Sequence, residues 1–236
     1  MPVLPRGDHL ERPALEKLQA ERLCALLAEM LPRNAFYAQK FAAAGIDAMS
    51  VRTPADLASL PWTTKAELLA DQAAHPPYGR FLTYPLRRYV RLHQTSGTAG
   101  RPLRWLDTSE SWATLLGCWE SIFEIVGLRD EDRLFFPFSF GPFLGFWTAF
   151  EAATRRGLLC LAGGGMSSGA RLRFLLEHQA TVVVCTPTYA QHLAEVADTE
   201  GVDLPASPVR ALIVAGEPGG SIPATRSRIE KLWGAR

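Results

Sequence analysis

Between residues 132 and 234, short apolar runs alternate four times with segments of helical pattern, and this alternation limits the possible folds more than any other feature of the chain. "DRLFFPF" precedes "PFLGFWTAFEAATRRG", "LLCLAG" precedes "SGARLRFLLEHQ", "TVVVCT" precedes "PTYAQHLAEVADTEG", and "VRALIVAG" precedes "IPATRSRIEKLWG". Strands joined in this way are predicted to be parallel, because a tight hairpin cannot return a parallel strand whereas a crossover helix can. Crossovers cover both sides of a sheet, which accounts for the unbroken apolar character of "TVVVC" and "ALIVA". The predicted fold class is therefore α/β, a parallel sheet with helices on both faces.

The stretch before residue 88 has a different grammar. Pro13 opens a helical pattern carrying Leu15, Leu18, Leu23, Leu26, Leu27 and Met30, which should lay one face on a core. A second helix is predicted over about residues 34–44, ending at Gly45, and Thr53-Pro54 marks a further helix start. "TKAELLAD" has the spacing of a capping box, Thr64 and Glu67 each satisfying the other's amide, and "HPPYG" then breaks the pattern. The domain reading is a helical region over 1–87 and an α/β core over 88–236, with "RYVRL" as its first strand and a helix from Ser109 to Val126.

Composition removes several function classes. Lys and Arg number 25 against 24 Asp and Glu, and neither sign gathers into a block, so the chain lacks the electrostatic footprint of a nucleic-acid or anionic-membrane partner. No apolar run approaches the ~20 residues of a membrane helix, and the start "MPVLPRGDHLERP" has no secretory pattern. Cys24, Cys118, Cys160 and Cys185 are too scattered for a zinc or disulfide framework and are expected to be buried free thiols. His75, His93, His178 and His192 are read as structural, and Lys65 and Lys231 as surface residues of helices. A cytoplasmic protein acting on small molecules is expected.

In such sheets ligands bind beyond the carboxyl ends of the strands. Those ends carry "GGGMSSG" (163–169), "TPTY" (186–189) and "GEPGGS" (216–221), which serve equally as turns or as a binding rim. A further loop, "HQTSGTAGRP" (93–102), supplies glycines free to adopt positive φ and small hydroxylated residues that leave main-chain amides open to an anion. It fits neither the Walker A nor the dinucleotide-binding pattern, and a surface turn accounts for the same composition.

"TSGTAGRP" resembles the phosphate-binding loop of the adenylate-forming superfamily of acyl-CoA synthetases, T-S-G-[ST]-T-G-x-P-K, with Ala99 in place of the second Thr and Leu103 in place of the Lys. "NAFYAQKF", "PWTTKAELLAD", "CTPTYAQHLAEVA" and "VAGEPGG" are similar to the phenylacetate-CoA ligase and coenzyme F390 synthetase-like branch, in the order that branch has them. The resemblance implies an ATP-dependent acid–thiol ligase that makes an acyl-adenylate and then a thioester, with ATP, Mg²⁺ and coenzyme A. It assigns Thr95, Ser96, Gly97, Thr98 and Gly100 to the ATP phosphates and Gly216, Glu217 and Pro218 to the adenine. "FSFGPFLGF" (138–146) corresponds to the acyl pocket, so Phe140 and Gly141 are candidates for holding an aromatic or otherwise apolar carboxylic acid, with a core role for the same rings left open.

The catalytic residues the resemblance implies, a Glu that holds Mg²⁺ and a Lys on a mobile C-terminal domain, are expected past Arg236. The chain is thus expected to be an N-terminal portion, incompetent for catalysis alone. Two other readings stay open: transfer of the acyl group to a carrier protein or amine, and a non-catalytic nucleotide-binding or interaction module. A homodimer is one assembly compatible with all three.

Overall fold

A computed structural model describes residues 10–97, 100–145 and 147–235. The chain divides into two compact units, Met1–Thr108 and Ser109–Arg236.

The first unit contains α1 (Arg12–Met30), α2 (Ala35–Ala43), α3 (Lys65–Ala74) and an antiparallel pair, β1 (Tyr89–Gln94) with β2 (Arg104–Thr108). Asn34 caps α2, its Oδ1 accepting from the Tyr37 amide at 3.1 Å, while its buried Nδ2 donates to the Phe81 carbonyl at 2.7 Å. The predicted capping box starts α3: Thr64 Oγ1 accepts from the Glu67 amide at 3.3 Å and Glu67 Oε2 accepts from the Thr64 amide at 2.6 Å. Two expectations change here. The stripe of α1 buries only Leu27 and leaves Leu26 exposed, because the helix meets a small cluster built on Phe41 and Val51. "TPADLASL" forms a short 3-10 helix, Pro54–Ser59, rather than an α-helix.

The second unit contains α4 (Ser109–Val126), β3 (Arg133–Phe136), α5 (Trp147–Arg155), β4 (Leu159–Ala162), α6 (Ser168–Glu177), β5 (Val182–Cys185), α7 (Pro187–Thr199), β6 (Ala211–Val214) and α8 (Pro223–Trp233). Its four strands are parallel in the order β4-β3-β5-β6. Strand side chains alternate between two cores. Leu134, Phe136, Val182, Val184, Ala211 and Ile213 pack with α4 and α5, whereas Phe135, Leu161, Val183 and Cys185 pack with α6, α7 and α8. Helices on opposite faces follow from the strand order: β3 to β4 steps one way and β4 to β5 the other, and right-handed crossovers then place α5 and α6 on opposite sides. The reversal makes the gap between the carboxyl ends of β3 and β5 a topological switch point.

At the amino ends, one buried carboxylate joins three strands. Asp132 Oδ1 accepts from the Thr181 hydroxyl at 2.7 Å and from Arg210 Nε at 2.9 Å, while Oδ2 accepts from the Arg129 amide at 2.7 Å and from Arg210 Nη2. Asp132, Thr181 and Arg210 immediately precede β3, β5 and β6, so the network sets their relative register. Burial alone raises the Asp132 pKa, but the bonds from Arg210, Arg129 and Thr181 outweigh it and hold the carboxyl at about 2.

Helix α5 begins at Trp147, five residues later than the pattern suggests, because the Gly and Pro of 141–145 keep that stretch in a loop. Of the thiols expected to be buried, Cys185 is and Cys160 is partly so, whereas Cys24 and Cys118 lie exposed on the outer sides of α1 and α4. Lys65 and Lys231 are exposed, as expected. No helix among the described residues is long and apolar enough to cross a membrane.

Candidate functional site

In the first unit, residues 95–103 connect β1 to β2, and closing that hairpin uses part of the loop's donor set. The Thr95 amide donates to the Leu103 carbonyl at 3.0 Å, the Leu103 amide donates to Thr95 Oγ1 at 3.1 Å, and the Gly100 amide donates to the Gly97 carbonyl at 2.8 Å. The amides of Ser96 and Gly97 have no partner among the described residues. Among the described residues of 95–100, the amides left open are therefore those of Ser96 and Gly97, while Thr95 and Gly100 shape the loop. Thr98 lies outside the described residues. Gly97 has φ +70°, and a Cβ there would stand 3.0 Å from the Gly100 carbonyl oxygen and 3.1 Å from Pro102 N, so only glycine fits. His93, at the end of β1, is buried beside Asp107, its Nδ1 3.8 Å from Asp107 Oδ2.

In the second unit, the three glycine- and hydroxyl-rich loops all leave the carboxyl ends of parallel strands, as the alternation predicts. Thr186 caps α7 by accepting from the Tyr189 amide at 3.2 Å. The Thr188 amide in the same turn donates to Glu217 Oε1 at 2.7 Å, which ties the 216–218 bend to the start of α7. Hydrogen bonds from Thr188, with a further one from Thr186, hold the Glu217 carboxyl below its ordinary pKa. Gly219 permits the approach: a Cβ there would lie 2.5 Å from Pro187 Cβ. Cys185 ends β5 beneath this bend, and burial, reinforced by the Glu217 charge, pushes its thiol up to about 12, so it has no nucleophilic character.

Beyond β3, Phe140 is half-buried among aromatic rings, its centroid 4.5 Å from Trp147, 5.1 Å from Phe138 and 5.1 Å from Phe150. The Gly141 carbonyl accepts from Trp147 Nε1 at 2.8 Å, anchoring the loop to the first residue of α5. Phe140 thus belongs to the periphery of one sheet-face core, four residues past the last residue of β3.

Sequence reasoning missed one cluster on this rim. Arg171 donates from Nε to the Gly163 carbonyl at 2.8 Å and from Nη1 to the Tyr189 hydroxyl at 3.0 Å, with its guanidinium carbon 5.3 Å from the Tyr189 ring centroid. Ser168 Oγ lies 3.2 Å from the Tyr189 hydroxyl and 3.1 Å from His192 Nε2. The available signal was polar residues three apart in the opening turns of successive helices, 168 with 171 and 189 with 192, a spacing that puts each pair on one helical face.

No family model matches the chain. It is 28% identical to the phenylacetate-coenzyme A ligase of Thermus thermophilus over 214 residues, 91% of this chain and 47% of that protein. It is 27% identical to the phenylacetate-coenzyme A ligase of Escherichia coli over 224 residues, 93% of this chain and 49% of that one. The chain spans about half the length of the curated relatives it matches. Among solved structures, 2-hydroxyisobutyryl-CoA ligase in complex with 2-HIB-AMP and CoA superposes with a TM-score of 0.92 at 29% identity, covering 98% of this chain and 50% of that one. An open conformation of that ligase gives 0.90 at 27% identity, covering all of this chain and 53% of that one. The fold is that of acyl-CoA ligases, and the resemblance to phenylacetate-CoA ligases extends over nearly the whole chain.

Proposed function

We propose that this chain is the nucleotide-handling N-terminal part of an AMP-forming acid–thiol ligase, which joins an apolar carboxylic acid to AMP and then passes the acyl group to coenzyme A. One observation carries the reading: about nine-tenths of the chain aligns with phenylacetate-CoA ligases, and 98% of it superposes on a ligase whose structure holds 2-HIB-AMP and CoA.

Chemically, the adenylation step brings a carboxylate against the triphosphate, so the chain must lower the cost of crowded negative charge without a covalent nucleophile. Among the described residues of the 95–100 loop, the Ser96 and Gly97 amides are open to phosphate oxygens, Thr95 and Gly100 give the loop its shape, and Thr98 keeps its proposed phosphate role. The exposed Gly216-Glu217-Pro218 bend is the proposed adenine-facing element, held in place through Thr188. Phe140 and Gly141, at the end of β3, are the proposed wall for a flat apolar acid. Among the described residues there is no group of three His, Cys, Asp or Glu that could hold a metal ion, and Mg²⁺ carried by ATP would need only one or two carboxylates beside the phosphates.

The test is acid-dependent release of pyrophosphate from ATP by the product of the complete reading frame, offered a panel of aryl and alkyl acids. Release with aryl acids and consumption of coenzyme A are expected. Release without coenzyme A consumption points to a carrier or amine acceptor, and ATP binding with no release for any acid overturns the ligase reading.

A further inference from the structure

The carboxyl-end rim of the second unit contains a hydrogen-bond string that starts from an arginine. Arginine can only donate, so the Tyr189 oxygen accepts from Arg171 Nη1, and the Tyr189 and Ser168 hydroxyls share a hydrogen bond in which either can donate. Ser168 Oγ also lies 3.1 Å from His192 Nε2, so the string runs on to the imidazole. One guanidinium therefore heads a string of four side chains, its own included, and also grips the Gly163 carbonyl at the end of β4. Tyr189 occupies the α7 turn whose cap is Thr186 and whose Thr188 amide holds Glu217.

We propose that Arg171 and Tyr189 are positioning residues for the 216–218 bend, acting through the first turn of α7. The inference rests on the reading of that bend as the adenine-facing element. It adds that nucleotide affinity is set partly by residues that do not themselves belong to the bend. A lysine cannot replace Arg171, because a point-charge ammonium does not bracket a carbonyl, a phenol oxygen and a ring face together.

Calorimetric titration of this chain with ATP, and separately with inorganic tripolyphosphate, tests the proposal. Arg171→Gln is expected to weaken ATP binding by about tenfold, Arg171→Lys by nearly as much and Tyr189→Phe by less. The Arg171→Gln/Tyr189→Phe double variant should be no weaker than Arg171→Gln alone, because both act through one route. Tripolyphosphate affinity should not move, since it has no adenine; a general loss of structure would lower both. Unchanged ATP affinity, or equal losses for both ligands, overturns the inference while leaving the nucleotide reading standing. A wild-type chain that binds no ATP overturns that reading and the inference with it.

Discussion

Replacing Asp132 with Asn tests how the parallel sheet is held at its amino ends. The carboxylate is 2% exposed and Arg210 21% exposed, so water screens their interaction poorly. A carboxyl shifted from 3.8 to about 2 corresponds to about 2 kcal/mol of folding stability at neutral pH, taking roughly 1.4 kcal/mol per pH unit. Because the folded-state pKa is depressed, this contribution is complete above the unfolded value near 3.8 and disappears as the pH falls through about 2. Asparagine keeps the shape but turns an amide donor toward Arg210, and removing one partner of a buried pair costs about 3–5 kcal/mol. The loss expected at pH 7 is about 3 kcal/mol, at the lower end because Arg210 retains some access to water. Urea denaturation followed by tryptophan fluorescence should show wild type and Asp132→Asn converging between about pH 4 and pH 2, as the wild-type carboxyl takes up its proton. A constant gap across that range, or no gap at pH 7, refutes the argument.

Two further outcomes bear on the loops. Gly97→Val should weaken ATP binding at least tenfold by calorimetry and cost about 1–3 kcal/mol of stability, since φ +70° and the 3.0 Å approach of the Gly100 oxygen exclude a branched side chain. Gly219→Ala should cost about 1–3 kcal/mol in chemical denaturation and weaken ATP binding, because its new methyl would fall 2.5 Å from Pro187 Cβ and push the bend away from α7.

The parallel sheet was legible because strands buried on both faces exclude polar side chains, and "TVVVC" fills both cores in alternation. The β1–β2 pair was only half legible. Its second strand, "RWLDT", mixes exposed Trp105 with buried Asp107, and its pairing depends on a loop that composition marks without giving the register. The exposure of Leu26 was hidden for a related reason: apolar spacing tells which side a helix can bury, not how large a surface it meets. In the 95–100 loop, glycine and hydroxyl content pointed to available amides. Which of them close the hairpin depends on where Leu103 returns, and that is a tertiary fact.

The same distinction separates the two ends of the parallel sheet. At the amino ends a buried carboxylate, an arginine and a threonine hydroxyl pin three strands, and removing any one leaves a poorly hydrated polar group behind. At the carboxyl ends the ties are more exposed: one amide to Glu217 and a string that finishes at a surface imidazole. Strands of four residues put roughly 10 Å between the two ends. A substitution at one end therefore shares no partner with the other, and the two should act nearly independently. Stability is concentrated away from the proposed site, and the rim keeps the weaker bonds, which on the proposed reading rearrange around a nucleotide without loosening the strand register.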